Sequence, residues 1–293
     1  MKASAFSYTR PSSVHDALLL LAQHGDQAKV LSGGQSLMPA LNLRLSAPAL
    51  IVDIGMIAEL RGIAVANGVL RIGALTRHVD ILKSPDIAAY APLLTEAIAE
   101  VAHPAIRNRG TIGGSLAHAD PASELPACVT VLDADIVVRS KDGERRVRAA
   151  EFFTGIYETA LSPDELLVAV EIPVGKKNSV HFFHEYARRR GDYAIVGLAA
   201  SAILSGDRFA DLRLGFFAIG DRPLLAAASS YVIGKPVTAS MLAEAQAALD
   251  EELDPQEDQQ ASAEMRRYLA RQLMAQCIAK LLNRPDLDAG TSA

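Results

Sequence analysis

The chain has 293 residues, of which 50% are hydrophobic, and a formal net charge of −5 at pH 7. A chain of this length and composition can bury the cores of two or three domains. The negative charge and the dispersed basic residues exclude a nucleic-acid footprint, and no apolar run in the sequence is long enough to span a bilayer.

The cysteine content limits the metal chemistry of the chain. Cys128 and Cys277 are the two cysteines, and they lie far apart in the sequence. Two thiols cannot supply a disulfide framework, a four-cysteine iron–sulfur cluster or a zinc site, so we expect both to be buried as small apolar groups. The N-terminus lacks the apolar core of a signal peptide, which predicts a cytoplasmic protein with small molecules or proteins as partners.

The first 55 residues predict a small βαβ-like unit. Ser12 or Ser13 can cap a helix that ends near Gly25, and a strand at 28–31 follows it. A glycine-rich loop at 32–36 then precedes an apolar stretch, and the β-branched run at 49–54 is typical of a buried strand.

Residues 56–175 predict a second unit of mixed helices and strands. A strand at 69–74 leads to a helix capped by Thr76, and a further helix begins at Pro92. A second glycine-rich loop follows, then a helix at 125–132, a hairpin about Asp142-Gly143 and a strand that stops at Pro173.

The polar segment 175–179 predicts the domain boundary. Beyond it, the pattern indicates strands near 181–187, 194–204 and 209–219 and then helices at 222–232, 238–253 and 262–282, which is an α+β arrangement. We therefore expect a C-terminal domain over 176–283. The small and polar residues at 284–293 predict a disordered tail.

Two glycine-rich loops carry the candidate chemistry. The first is Ser32-Gly33-Gly34-Gln35-Ser36, and the second is Gly110-Thr111-Ile112-Gly113-Gly114-Ser115. Backbone N–H groups in such loops can converge on an anion, and two loops in one chain suit a diphosphate. The alternative is that each glycine pair is an ordinary turn after a strand.

Four motifs together resemble a known family, over essentially the whole chain to about Leu282. They are the two glycine loops, the segment Ala119-Asp120-Pro121-Ala122-Ser123-Glu124-Leu125-Pro126 and the segment Arg188-Arg189-Arg190-Gly191-Asp192-Tyr193-Ala194-Ile195-Val196. The sequence resembles the FAD-binding medium subunit of molybdenum hydroxylases, the group that contains aerobic carbon monoxide dehydrogenase, xanthine dehydrogenase and bacterial N-heterocycle dehydrogenases.

The resemblance implies an α+β fold with an N-terminal FAD domain of two α+β subdomains, about 1–55 and 56–175. It also implies a C-terminal α+β domain with a three-stranded antiparallel sheet and helices. The implied partners are a small [2Fe–2S] subunit and a large molybdopterin subunit, assembled as a dimer of heterotrimers.

The resemblance further implies that the two loops bind the FAD pyrophosphate and that an acidic residue, Glu124 or the nearby Asp120, contacts the adenosine half. Leu161 matches a backbone contact to the flavin, and His184 stands where some animal members have a lysine near the flavin. The implied cofactor-binding residues are Leu31, Ser32, Gly33, Gly34, Gln35, Ser36, Leu37, Gly110, Thr111, Ile112, Gly113, Gly114, Ser115, Ala117, Asp120, Ser123, Glu124, Leu161, His184 and Tyr193.

Several single residues admit two interpretations. Tyr193 can stack on an isoalloxazine ring or lie half-buried in the core, and Ile112 can pack on the flavin or in the core. Arg107 and Arg109 are either solvated turn charges or partner contacts. His103 and His118 need no catalytic role, because a flavin itself carries the redox chemistry.

Three function classes remain open at this point. The leading hypothesis is an electron-transfer subunit whose FAD passes electrons from a partner iron–sulfur subunit to NAD⁺, a quinone, oxygen or another acceptor. A stand-alone FAD-dependent oxidoreductase is the alternative, and a non-catalytic nucleotide-binding module is the third. Co-purification of partner chains separates the first from the second, and a flavin spectrum separates both from the third.

Overall fold

The computed structural model describes residues 2–174 and 179–288. The helices are α1 (Val14–His24), α2 (Leu37–Asn42), α3 (His78–Lys83), α4 (Pro85–Tyr90), α5 (Pro92–Glu100), α6 (Pro104–Arg107), α7 (Ile112–His118), α8 (Glu124–Val131), α9 (Ala149–Phe152), α10 (Ala239–Glu252) and α11 (Ala263–Leu282). The strands are β1 (Ser7–Thr9), β2 (Ala28–Leu31), β3 (Leu50–Asp53), β4 (Ile63–Ala66), β5 (Val69–Gly73), β6 (Asp135–Ser140), β7 (Gly143–Arg148), β8 (Phe153–Gly155), β9 (Glu158–Thr159), β10 (Leu166–Pro173), β11 (Ser179–Tyr186), β12 (Val196–Ser205), β13 (Arg208–Phe217) and β14 (Leu224–Leu225).

The first sheet is parallel and has the strand order β1-β3-β2. Helix α1 begins at Ser13, whose hydroxyl accepts the Asp16 amide at 3.1 Å, and it ends where Gly25 has a φ of 50°. Strand β1 was not predicted, because three residues give no periodic signal. The parallel order brings the carboxyl ends of all three strands to one edge.

The second sheet has the order β4-β5-β10-β6-β7, and its named pairings are antiparallel. Asn67 and Gly68 both have positive φ, 52° and 77°, which suits a tight hairpin between β4 and β5. The predicted hairpin about Asp142-Gly143 joins β6 to β7. Strand β10 runs through the centre, with its first five residues buried.

The third sheet has three long antiparallel strands, β11, β12 and β13, extended at one edge by the two-residue strand β14. The α+β class is therefore confirmed, with one short strand more than expected. The predicted helix at 222–232 is wrong: β14 and a 3₁₀ turn, Ala227–Val232, occupy it. The amides of Ala227 and Ala228 donate to the Glu252 carboxylate at 2.8 and 2.7 Å, which holds this segment against α10.

Helix α8 joins the second sheet to the third. Its residues from Leu125 onward are buried, and the core around β10 continues through them to Phe183 and Phe217 of the third sheet. A Cβ on Gly215 would lie 2.6 Å from the Val131 side chain, so the helix and β13 are in very close contact. The two sheets share one continuous apolar core.

Of the predicted boundary at 175–179, residues 175–178 lie outside the described residues. The expected tail begins with an ordered 3₁₀ turn, Pro285–Leu287, in which Leu287 is buried in the C-terminal core. The rest of that tail, 289–293, also lies outside the described residues. Within 2–174 and 179–288, no helix is both long and apolar enough to cross a membrane.

Candidate functional site

A cleft of about 830 Å³ opens at the carboxyl edge of the parallel sheet. Residues that follow each strand line it: Arg10 after β1, the first glycine loop after β2, and Asp53 at the end of β3. Ligands of open α/β sheets bind at this edge, because loops from different strands converge there. The cleft brings together the predicted residues Leu31, Ser32, Gly33, Gly34, Gln35 and Thr111.

The first glycine loop offers free hydrogen-bond donors to this cleft. The backbone amides of Gly33, Gly34, Gln35 and Ser36 have no acceptor among the described residues. Gln35 Nε2 donates to the Gly33 carbonyl at 3.0 Å and fixes the loop. Unpaired amides that lie side by side at a cleft wall are suited to an anion such as a phosphate.

The second glycine loop differs from the sequence-based expectation, since internal partners occupy its amides. The amides of Ile112 and Gly113 donate to the carbonyls of Thr76 and Ala74, at 3.1 and 2.9 Å, and the Gly114 amide donates to Thr111 Oγ1 at 3.1 Å. Ile112 is fully buried, which places it in the core. This loop offers a hydroxyl, rather than a ring of amides, to a ligand.

The two loops contact each other directly. Ser32 Oγ and Thr111 Oγ1 lie 2.7 Å apart and share a hydrogen bond. A Cβ on Gly33 would lie only 2.3 Å from the Arg109 carbonyl oxygen, so no larger residue fits between the loops as they stand. The glycine at 33 is therefore required by close backbone approach.

Tyr8, Arg10 and Asp53 form a polar network that the sequence analysis missed. The Tyr8 hydroxyl donates to Asp53 Oδ2, as does Arg10 Nη2 at 2.7 Å. Burial acts to raise the pKa of Asp53, but these bonds and the Gly55 amide lower it below its ordinary value. An aspartate at the end of a buried strand was the available signal.

The cleft carries an excess of positive charge. Asp53 is paired with Arg10, and the other charged groups that line the cleft are Arg61, Arg77 and Arg109. Arg77 and Arg109 have no ion pair with any residue that the structure describes. By contrast, Arg107 donates to the carbonyls of Val101 and Ala102 at 2.8 and 2.9 Å and so fixes the segment that follows α5.

A second cluster lies beyond α7, at the junction with the third sheet. Ser115 Oγ and Ser123 Oγ are 3.2 Å apart, and Asp120 is buried, with its Oδ1 accepting the Ala122 amide at 2.9 Å. Burial, and secondarily the charge of Asp120, raise the pKa of Glu124 to about 7. The cluster therefore holds Asp120, Ser123 and Glu124 together.

Tyr193 joins this cluster from the other side of the junction. The residue as a whole is 62% exposed, so the interpretation of Tyr193 as a core residue is wrong. Burial of the hydroxyl, followed by the charges of Asp120 and other neighbours, raises the pKa of Tyr193 to about 12. Gly191 has a φ of +86°, and a Cβ there would lie 2.8 Å from the Ala102 carbonyl, so the loop that carries Tyr193 is seated on the first domain.

The remaining predicted residues are not among those that line the cleft. Leu161 follows the hairpin β8–β9, and its amide donates to Thr159 Oγ1 at 3.3 Å. His184 is exposed on β11, where burial of the ring and the charge of Lys280 lower its pKa. Ala117 is exposed on α7, Leu37 begins α2, and Gly110 is packed against the buried ring of His78.

The comparisons with known proteins agree with this geometry. Residues 4–175 match the model of the FAD binding domain in molybdopterin dehydrogenase, and residues 181–281 match the CO dehydrogenase flavoprotein C-terminal domain. An FAD binding domain followed by a flavoprotein C-terminal domain defines the class of the protein as the flavoprotein component of an oxidoreductase. The chain belongs to the FAD-binding medium subunits of the molybdenum hydroxylase family.

Individual relatives match over nearly the full length of both chains. The chain is 42% identical over 287 residues to the caffeine dehydrogenase subunit beta of Pseudomonas sp. strain CBB1, covering 97% of each. It matches a chain of carbon monoxide dehydrogenase from Hydrogenophaga pseudoflava with a TM-score of 0.94 and 35% identity, covering 97% of this chain and 99% of that one. A chain of quinoline 2-oxidoreductase from Pseudomonas putida 86 matches with a TM-score of 0.90 and 38% identity, with the same coverage.

The cofactor of the chain is FAD, and the residues fit it. Free amides, two hydroxyls and unpaired arginines at one edge suit a pyrophosphate, and the Gly33 contact leaves no room for a side chain there. No group of three or more metal-ligating side chains that could hold a metal ion occurs among the described residues.

We expect the two cysteines to be dispensable for the flavin. Both are buried and unpaired, and burial raises both thiol pKa values. The double variant Cys128→Ala/Cys277→Ala should keep its FAD and its reducibility by dithionite, with a stability loss on the order of 1 kcal/mol per site. The FAD-to-protein ratio and anaerobic reduction measure this, and a folded variant whose flavin no longer reduces would contradict it.

Proposed function

We propose that this chain is the electron-transfer subunit of a molybdenum hydroxylase complex in the cytoplasm. When bound, FAD supplies the capacity to take up two electrons and to release them to a second acceptor. In this proposal the electrons arrive from a partner [2Fe–2S] subunit and leave to NAD⁺, a quinone, oxygen or another acceptor. The large partner is a molybdopterin subunit, and the complex is a dimer of heterotrimers.

The observation that carries the proposal is that the chain offers two polar sites near the Ser32–Thr111 contact. One is the cleft at the sheet edge, and the other is the cluster that contains Asp120 and Tyr193. We assign the pyrophosphate to the free amides of residues 33–36 and to the two hydroxyls. The cleft at the sheet edge, with Asp53 and the arginines, then takes the adenosine half. The isoalloxazine ring extends toward Asp120 and Tyr193, where an exposed aromatic ring is available to stack.

This assignment moves Asp120 and Glu124 to the flavin half of the cofactor. Burial first, and then the charges of Asp120, Tyr157 and Glu124, raise the pKa of Tyr193, which supports one cluster for Tyr193 and the two carboxylates. The sequence resemblance connected the acidic position with adenosine and Tyr193 with the flavin, which would place them at opposite ends of an extended molecule. A single cluster is better explained by a single half of FAD.

A complex in which other subunits bind the metal centres would also explain which side chains this chain provides. The part of the chain that the structure describes provides a nucleotide site but no cluster of metal-ligating side chains. A stand-alone oxidoreductase would need a substrate cavity with its own acid or base. The relatives named above are a subunit of caffeine dehydrogenase and chains of carbon monoxide dehydrogenase and quinoline 2-oxidoreductase.

The test is purification of the tagged chain from its native host at low salt. We expect a flavin spectrum, two co-purifying chains, and iron and molybdenum in the preparation. Dithionite should reduce the flavin, and the substrate of the large chain should reduce it only in the complex. A flavin-containing chain that purifies alone and oxidises its own substrate would favour the stand-alone alternative, and a chain without flavin would overturn the proposal.

A further inference from the structure

The hairpin β8–β9 has an unusual residue at its tip. Gly155 pairs with Glu158, so Ile156 and Tyr157 form a two-residue loop. Tyr157 has a φ of 57°, a conformation in which glycine or asparagine is normally found at this turn position. A bulky residue with positive φ is an outlier whose strain must be offset by surrounding contacts.

Three contacts hold Tyr157 in this conformation. Its amide donates to the Ala119 carbonyl at 3.2 Å, and its ring lies against His118, with the ring centroids 4.9 Å apart. The hydroxyl lies near the buried carboxylate of Asp120, which together with burial raises the pKa of Tyr157. Even so, 56% of the residue remains exposed, so the contacts fix the ring without covering it.

Tyr193 has the same relation to Asp120 from the second domain. The residue is exposed, and burial of its hydroxyl, followed by the charges of Asp120 and Tyr157, raises its pKa, so the Tyr193 hydroxyl lies in the neighbourhood of both. The loop between them is tied to the third sheet, because the Ala218 amide donates to the Pro121 carbonyl at 2.8 Å. Two exposed tyrosines, one from each domain, thus lie near the same carboxylate, that of Asp120.

We propose that Tyr157 is the second aromatic wall of the flavin compartment and that, together with Tyr193, it controls the access of electron acceptors to the flavin. This inference rests on the proposed function above. An aromatic ring is the side chain that packs best against a planar heterocycle, and a ring held by a strained turn does not need to be ordered when the ligand binds. Leu161, at the end of the same hairpin, would then lie beside the same half of the cofactor.

The test compares Tyr157→Gly, Tyr157→Phe and the matched control Ile156→Ala, which removes the other exposed side chain of the same loop. Glycine relieves the positive φ, so we expect the melting temperature of Tyr157→Gly to be equal to or above that of the wild type. Loss of this aromatic wall should raise the fluorescence of bound FAD. It should also speed reoxidation of the reduced flavin by oxygen about threefold, and change the rate of reoxidation by NAD⁺ by a different factor.

Tyr157→Phe keeps the ring, so it should restore the wild-type flavin fluorescence and reoxidation, and Ile156→Ala should resemble the wild type. Tyr193→Ala serves as a comparator and should change the same two measurements. Unchanged fluorescence and reoxidation in Tyr157→Gly, or equal changes in Ile156→Ala, would overturn the inference.

A measurement without flavin separates failure of this inference from failure of the proposed function. In the apoprotein, ultraviolet titration of the phenols should show three late-titrating tyrosines in the wild type, namely Tyr8, Tyr157 and Tyr193, and one fewer in Tyr157→Phe. In Asp120→Asn, Tyr157 and Tyr193 should titrate at lower pH while Tyr8, which is bonded to Asp53, is unchanged. A wild type that binds no FAD yet shows this titration contradicts the proposed function alone. Normal FAD binding with no effect of Asp120→Asn on either phenol contradicts the tyrosine pair alone.

Discussion

Replacement of Gly33 by alanine should abolish FAD retention. The added Cβ would lie 2.3 Å from the Arg109 carbonyl oxygen and 3.0 Å from the Gly110 Cα, and both of these are backbone atoms that cannot rotate away. The two loops must separate, which breaks the Ser32–Thr111 hydrogen bond and displaces the free amides. Because the clash lies in surface loops, we expect the protein to fold and the FAD-to-protein ratio to fall by at least about tenfold.

Two other glycines provide controls for this result. Gly220→Ala meets no atom within 4 Å and should bind FAD as the wild type does. Gly114→Ala would bring a Cβ to 2.8 Å from the Thr111 hydroxyl, a side-chain atom, so its loss of FAD should be smaller. Full FAD occupancy in purified Gly33→Ala protein, or an equal loss in Gly220→Ala, would show that the pyrophosphate is not bound at this contact.

The second large effect is a loss of stability as the pH rises from about 6.5 to 8.5. Burial, and secondarily the charges of Glu124 and Glu100, raise the pKa of Glu185 to about 8, and the pKa of Glu124 is about 7. Both exceed the unfolded value, so the folded state binds more protons than the unfolded state between about pH 4.5 and 8. The free energy of unfolding therefore decreases as the pH rises through this range.

His78 acts in the opposite direction but at lower pH. Burial lowers the pKa of the His78 ring to about 4. The folded state therefore binds fewer protons than the unfolded state, and the free energy of unfolding falls as the pH drops from about 6.5 to 4. Above pH 6.5, His78 is neutral in both states, so of these three residues only Glu124 and Glu185 change the free energy of unfolding with pH. Glu185→Gln should flatten the pH dependence between 6.5 and 8.5 and raise stability at pH 8.5 by roughly 1–3 kcal/mol, a range discounted for partial solvent screening.

Chemical denaturation at several pH values, with and without FAD, measures this effect. Arg190→Gln is a useful second variant, because the Arg190 guanidinium pairs with Glu100 at 3.0 Å, and both residues line a small cavity together with Glu185. That exposed pair should contribute little to stability. A Glu185→Gln protein with the wild-type slope would mean that Glu185 is ionised in the folded state.

Strong local signals predicted most of the fold. The serine cap of α1, the Asp142-Gly143 hairpin and the long apolar runs of β10, β12 and β13 are each determined by residues close in sequence. The short strand β1 depends on a partner far along the chain, β3, and the two residues of β14 are too few to give a periodic signal. The helix expected at 222–232 failed because a distant carboxylate, Glu252, takes the amides that a helix would have used.

The candidate site likewise has parts that the sequence predicted and parts that it did not. Glycine pairs indicated both loops, but only the structure shows that the amides of the second loop are paired internally. Tyr8, Arg10 and Asp53 meet because β1 and β3, which are far apart in the sequence, end at one edge, and no local pattern encodes that meeting. Tyr157 has no motif around it, since its role depends on a backbone angle and on residues of another segment.

The burial of α8 on both of its sides affects how this family can evolve. Since α5 and α7 of the first domain and β12 and β13 of the second all pack against the helix, a residue such as Val131 is constrained by two domains at once. A substitution that adapts the helix to one domain must remain acceptable to the other. Exchange of a C-terminal domain between homologous chains would therefore succeed only when α8 is transferred with it or is matched residue by residue.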